Sequence, residues 1–105
     1  MGKNNLLSSF ISNSKSNVSV IEGVMGFYDG FGGDSNYAST HHVASITKSP
    51  VILILDASKT ARSIAATALG FPKFHKNSRI SCIILNKIGS KKHENLCSQA
   101  LQKTK

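Results

Sequence analysis

Three short runs of β-branched and other apolar residues, Val18 to Ile21, Val51 to Leu55 and Ile80 to Leu85, limit what this chain can fold into more than any other feature. Each is mostly continuous instead of alternating in and out, and a continuous run predicts a strand buried on both faces, as in a parallel sheet. Between the last two runs, Ala61, Ile64, Ala65, Ala68 and Leu69 repeat at i, i+3, i+4, i+7 and i+8, the spacing of one apolar helix face. A second helix is predicted from about Lys91 to Gln102, with Leu96, Ala100 and Leu101 on one side. A third runs from near Thr40 to Thr47, where Ser39 or Thr40 is placed to cap the first turn. Leu6, Leu7, Phe10 and Ile11 give one more helix before the first strand. The order α, β, loop, α, β, α, β, α calls for βαβ crossovers on an open parallel sheet.

At 105 residues and 40% hydrophobic, the chain suffices for one small domain or part of one and is too apolar for a disordered tail. No run approaches the roughly 20 apolar residues of a membrane span, and the polar start lacks the apolar stretch of a secretory signal, so a soluble, cytoplasmic protein is expected. Cys82 and Cys97 form no C-x-x-C pair and have no His at ligand spacing, which argues against a zinc site or a disulfide framework. The net charge of +8 comes from 13 Lys and Arg scattered along the chain without interleaved aromatics. That pattern is expected of a solvated basic surface and not of a nucleic-acid groove.

The acids are placed more selectively than the bases. From Glu22 to Asp34, five glycines and three carboxylates (Glu22, Asp29 and Asp34) fall within thirteen residues. Ligands of parallel sheets bind outside the carboxyl ends of the strands, and this segment follows the first predicted strand. Glycines let backbone N–H groups approach a phosphate, and strand-end carboxylates can hold Mg²⁺, so the segment is a candidate Mg-phosphate site; the plain alternative is a soluble glycine-rich turn. Asp56 follows the second strand, either near the Mg²⁺ shell or capping the helix that begins near Thr60. Asn86-Lys87 follows the third. His41 and His42 lie on a predicted helix with no third ligand nearby, so exposure or packing is expected of them. Nothing in the sequence assigns His93 a job, and Arg62 is expected on an exposed helix face.

The run Val20-Ile21-Glu22-Gly23-Val24-Met25-Gly26-Phe27-Tyr28-Asp29-Gly30 resembles the E-G-V-M-G-x-Y-D-G signature of the cobyrinate a,c-diamide synthase family. Pro50 to Ser58 is similar to that family's next strand, Arg62 to Phe71 to its following helix, and Ile83 to Ser90 with His93 to the strand and turn after that. The likeness spans roughly Val18 to Leu101 in the family's order.

The resemblance implies a partial doubly wound parallel α/β sheet of the P-loop NTPase, dethiobiotin synthetase-like type, lacking the P-loop strand. Residues 1–105 are then expected to be a fragment of the amidoligase domain, without the family's P-loop region and C-terminal glutaminase domain. The sequence has no G-x-x-x-x-G-K-[ST], and neither Cys82 nor Cys97 sits in the tight glycine-flanked turn of a glutaminase nucleophile. Alone, the fragment is expected to be inactive and poorly folded.

For the intact enzyme the resemblance implies a reaction in which ATP phosphorylates a substrate carboxylate and glutamine-derived ammonia displaces the phosphate. Glu22 is then the Mg²⁺ ligand and, with Asp29, a catalytic residue; Asp29 positions substrate or metal. Tyr28, Gly26 and Gly30 are substrate contacts, and Asn86 meets the adenine, its plain alternative being a turn residue at the strand end. Implied partners are ATP, Mg²⁺, a corrinoid tetrapyrrole and a second copy of the intact enzyme. Hydrogenobyrinate and nickel-sirohydrochlorin are alternative tetrapyrroles. From other classes come a basic binding module without catalysis and a subunit completed by a P-loop chain.

Overall fold

The computed structural model describes residues 2–104 and divides into two compact units, 1–50 and 51–105. In the first, helix α1 (Lys3–Asn13) and helix α2 (Thr40–Thr47) are joined by a long segment with little regular structure. Ser39 caps α2: its hydroxyl accepts from the His42 N–H at 3.0 Å, satisfying one of the helix's unpaired first-turn donors. The α2 helix ends at Lys48, whose left-handed backbone (φ 54°) lets the Ser49 N–H donate back to the Ala44 carbonyl.

The predicted strand at Val18 to Ile21 does not form. Its residues pair with no ladder, and Val18 and Val20 are 78% and 88% exposed. Val20 and Ile21 instead line an open groove with Leu6, Phe10 and Val43. A β-branched run expresses a preference for a pleated, half-buried surface, and without a neighbouring strand that preference has nothing to act on.

The second unit is a βαβα arrangement: strand β1 (Val51–Asp56), helix α3 (Ser63–Phe74), strand β2 (Ile80–Asn86) and helix α4 (Lys91–Gln102). β1 and β2 pair in parallel, with Ile52 opposite Cys82 and Asp56 opposite Asn86, and one irregularity between Val51 and Ile52. Parallel neighbours need a crossover, and α3 supplies it. Leu53, Leu55, Ala57, Ile64, Ala65, Ala68 and Cys97 are the buried apolar residues of this unit.

The expectation of strands buried on both faces is corrected here. Leu53 and Leu55 are buried, while Ile52 and Ile54, which point the other way, are 60% and 62% exposed, and Cys82 and Ile84 across the ladder are exposed too. Among the described residues the sheet has two strands, and helices follow one face only. What is present of the expected doubly wound sheet is a small parallel α/β core covered on one face.

α3 begins at Ser63, three residues after the expected start, because Thr60 stays in the turn, its hydroxyl and N–H both donating to the Ala57 carbonyl. α4 has the predicted bounds, but Cys97 is its buried residue and Leu96 is 44% exposed. The Ser90 hydroxyl caps α4 by accepting from the His93 N–H at 3.0 Å.

Candidate functional site

In the first unit the glycine-rich segment wraps the start of α2. The Phe27 carbonyl accepts from the His41 N–H at 3.0 Å, the Tyr37 carbonyl accepts from the Phe31 N–H at 2.9 Å, and the Asp29 N–H donates to the Gly26 carbonyl at 2.9 Å. Phe27 is buried, and its ring, the Tyr28 ring and the buried His41 imidazole form a three-way cluster with centroids 4.8 to 5.5 Å apart.

The glycines are held by space and not by unusual backbone, since none has positive φ. A Cβ on Gly30 would lie 2.3 Å from the Tyr37 carbonyl oxygen, and one on Gly26 would lie 2.2 Å from an Asp29 carboxylate oxygen. The Gly26–Gly30 turn thus folds the Asp29 carboxylate over the Gly26 backbone.

One site expectation in this segment needs amendment. Glu22 is exposed, but it ends no strand, because the run before it has no ladder partner. At the start of α2 the His41, His42 and Val43 N–H groups donate to the Phe27 carbonyl, to the Ser39 hydroxyl and to the Ser39 carbonyl. His41 is packed, with 3% exposure, inside the aromatic cluster. Of the exposure or packing expected for it, packing is the outcome, and the rings that enclose it come from the glycine segment and not from its own helix.

In the second unit the carboxyl rim of the sheet brings polar groups together. Asp56 and Asn86 are paired across the ladder, and the Ala57 N–H donates to the Asn86 carbonyl at 2.9 Å. One Asp56 oxygen accepts from the Ser58 N–H at 2.8 Å and from the Ser58 hydroxyl, and the other lies 3.3 Å from the Lys87 ammonium. These bonds hold the Asp56 carboxyl below the usual aspartate range, the Ser58 hydroxyl contributing most. Asp56 therefore closes the turn after β1; it does not cap α3, whose N-cap residue Arg62 makes no side-chain cap bond. Asn86 is exposed, with its side-chain oxygen accepting from the Lys87 N–H at 2.9 Å.

Lys87 (φ 61°) and Lys59 (φ 60°) have left-handed backbones, a sparsely populated state that clusters at functional sites, here one in each rim loop. Sequence reasoning missed His93. One ring nitrogen (Nδ1) accepts from the Gly89 N–H at 3.0 Å, and the other (Nε2) makes a short hydrogen bond with the Thr60 carbonyl. The signal was its place three residues past a Ser able to cap α4, but its partner in the other loop is 33 residues away in the chain.

Among the described residues no three His, Cys, Asp or Glu side chains are placed to hold a metal ion, and no helix is long and apolar enough to cross a membrane. Both cysteines are free thiols, Cys82 exposed and Cys97 buried.

Comparison with known proteins gives a consistent set of relatives. The chain is 47% identical over 83 residues to a cobyrinate a,c-diamide synthase of Gloeobacter violaceus, a match covering 79% of this chain and 18% of the relative. It is 39% identical over 104 residues to the enzyme of the same name from Caldanaerobacter subterraneus, covering 98% of this chain and 23% of the relative. A hydrogenobyrinate a,c-diamide synthase of Streptomyces coelicolor is 45% identical over 84 residues, 80% of this chain and 17% of the relative. The chain thus spans about a fifth of the length of the curated relatives it matches. No protein-family model and no solved structure matches it.

Proposed function

We propose, for a chain that belongs to the cobyrinate a,c-diamide synthase family and matches one segment of its members, that it is part of an ATP-driven, glutamine-dependent amidoligase. The substrate is cobyrinate, whose a and c carboxylates become amides in cobalamin biosynthesis in the cytoplasm. The observation that carries this reading is the identity of 39% to 48% to synthases of that name over most of the chain. The sheet is read as part of a P-loop NTPase-type nucleotide domain, and the intact enzyme as a homodimer.

Glu22 is the residue that would hold Mg²⁺. A single exposed carboxylate fits, because Mg²⁺ keeps several waters and takes one or two carboxylates plus phosphate oxygens. When bound, the ion supplies neutralisation of phosphate charge. Asp29, presented over Gly26, orients the substrate carboxylate, with Tyr28 and the Gly26 and Gly30 backbones beside it. Asn86 at the carboxyl rim offers its side-chain amide to the adenine, in a sheet position where nucleotides commonly bind. On this reading, ammonia comes from a glutaminase outside the matched segment.

Hydrogenobyrinate is the second reading for the substrate, favoured by the 45% identity to the Streptomyces coelicolor enzyme. The test is a hybrid of the Gloeobacter violaceus synthase carrying this chain's Val18–Leu101 in place of its matching segment. ATP-dependent amide formation is expected on one of the two tetrapyrroles. The Glu22→Gln hybrid should lose at least the roughly tenfold to hundredfold that even the outer partners of a metal ligand cost. A folded hybrid that amidates neither substrate, or a Glu22→Gln hybrid as fast as its parent, overturns the proposal.

A further inference from the structure

His93 links the two loops that form the carboxyl rim. The β1–α3 loop, which follows Asp56 at the end of β1, carries Ser58, and its Thr60 is tied to Ala57 through both hydroxyl and N–H. The β2–α4 loop, which follows Asn86 at the end of β2, carries Lys87 and Gly89. From the first turn of α4, the half-buried imidazole reaches the Thr60 carbonyl with one ring nitrogen and the Gly89 N–H with the other, while its own N–H is held by the Ser90 hydroxyl.

The partners fix the ring's chemistry. A carbonyl can only accept and an amide N–H can only donate, so Nε2 must carry the proton and Nδ1 the lone pair. Each end of the ring therefore recognises a different loop, and neither a flipped ring nor the other tautomer satisfies both. The Asp56–Lys87 ion pair spans the same loops, but both side chains are more than half exposed, so salt screens it. The histidine bridge is the part-buried one.

We infer that His93 is the positioning residue of the carboxyl rim: its neutral, Nε2-protonated imidazole sets the spacing of the β1–α3 and β2–α4 loops and so aims the Asn86 amide. The inference rests on the reading of Asn86 as a nucleotide contact. Its consequence is that nucleotide affinity depends on a side chain that need not touch the nucleotide.

Two measurements test it, the first on the full chain and the second on the Gloeobacter violaceus hybrid, because the sequence itself has no P-loop motif. Long-range ¹⁵N–¹H correlation of the histidine rings, at a pH where imidazole is neutral, should show His93 with Nε2 protonated and Nδ1 not. A His93 ring averaging between tautomers, or one protonated on Nδ1, overturns the inference whatever the chain's function. MgATP is then titrated into the hybrid while the Asn86 side-chain amide is followed. His93→Ala should weaken the apparent affinity by about tenfold or more, as misplaced positioning groups do, with exchange protection of the β1 and β2 amides unchanged. His93→Gln, whose terminal N–H can reach the Thr60 carbonyl, should recover part of the loss. Equal affinity in the His93→Ala and parent hybrids overturns the positioning role. If MgATP leaves Asn86 unmoved in the parent hybrid, the nucleotide assignment falls, and with it the role assigned to His93 there; the ring signature still decides the bridge.

Discussion

At Asp56 the question is which neighbour keeps the carboxyl ionised. The residue is exposed, so the nearby Lys87 charge acts largely through water, whereas the Ser58 hydroxyl donates directly to a carboxylate oxygen and is the largest contributor to the lowered pKa. Ser58→Ala should therefore raise the Asp56 midpoint more than Lys87→Gln does, followed through the carboxyl carbon by NMR. The reverse ranking would make the ion pair dominant. The sign for stability follows from linkage. A carboxyl whose folded pKa lies below its unfolded one lends stability that is complete above the unfolded value and is lost as pH falls through the folded one. The sequence showed a polar residue at this strand end, but not its use. An Asp two residues before a Ser can close its own turn or cap the next helix, and only the path of Thr60 decides between them.

Among the elements, the glycine segment separates two costs that sequence alone cannot. Both Gly26 and Gly30 have backbone angles open to alanine, so only what a Cβ would strike matters. At Gly30 it strikes the Tyr37 carbonyl oxygen and the Ser39 nitrogen, both backbone, and Gly30→Ala should destabilise by about 1–3 kcal/mol in thermal or denaturant unfolding. At Gly26 it strikes the end of the Asp29 side chain, which can swing away, so Gly26→Ala should stay within about 0.5 kcal/mol of the parent. That change displaces the Asp29 carboxylate without unfolding its support, and equal destabilisation by both substitutions would contradict the geometry. The helices were legible because their signals are local. Ser39 and Ser90 cap the two helices that follow them, and α4 runs from Lys91 to Gln102 as its pattern predicts. The first strand was not legible, because a strand is completed by a partner, and Val18 to Ile21 have none among the described residues.

On the scale of the whole molecule, the bare face of the β1–β2 sheet governs behaviour in solution. Ile52, Ile54 and Ile84 present a strip of β-branched side chains to water beside open strand edges, an arrangement that promotes association. Ile54→Lys should reduce concentration-dependent self-association in sedimentation while leaving the melting temperature nearly unchanged, because the side chain is already 62% exposed. A large loss of stability would show that the face is covered. The continuous apolar runs described both faces of these strands correctly as apolar; what covers the second face is not written in the strands themselves. The ladder also carries its one irregularity between Val51 and Ile52, at the amino end, where β2 has a residue more than β1, and it runs evenly to Asp56 and Asn86. Tolerance of insertions and deletions is therefore lopsided. A residue gained or lost near Ser81 is absorbed at the end away from the carboxyl rim, whereas one near Leu85 moves the Asn86 amide by about 3.3 Å and turns it to the opposite face.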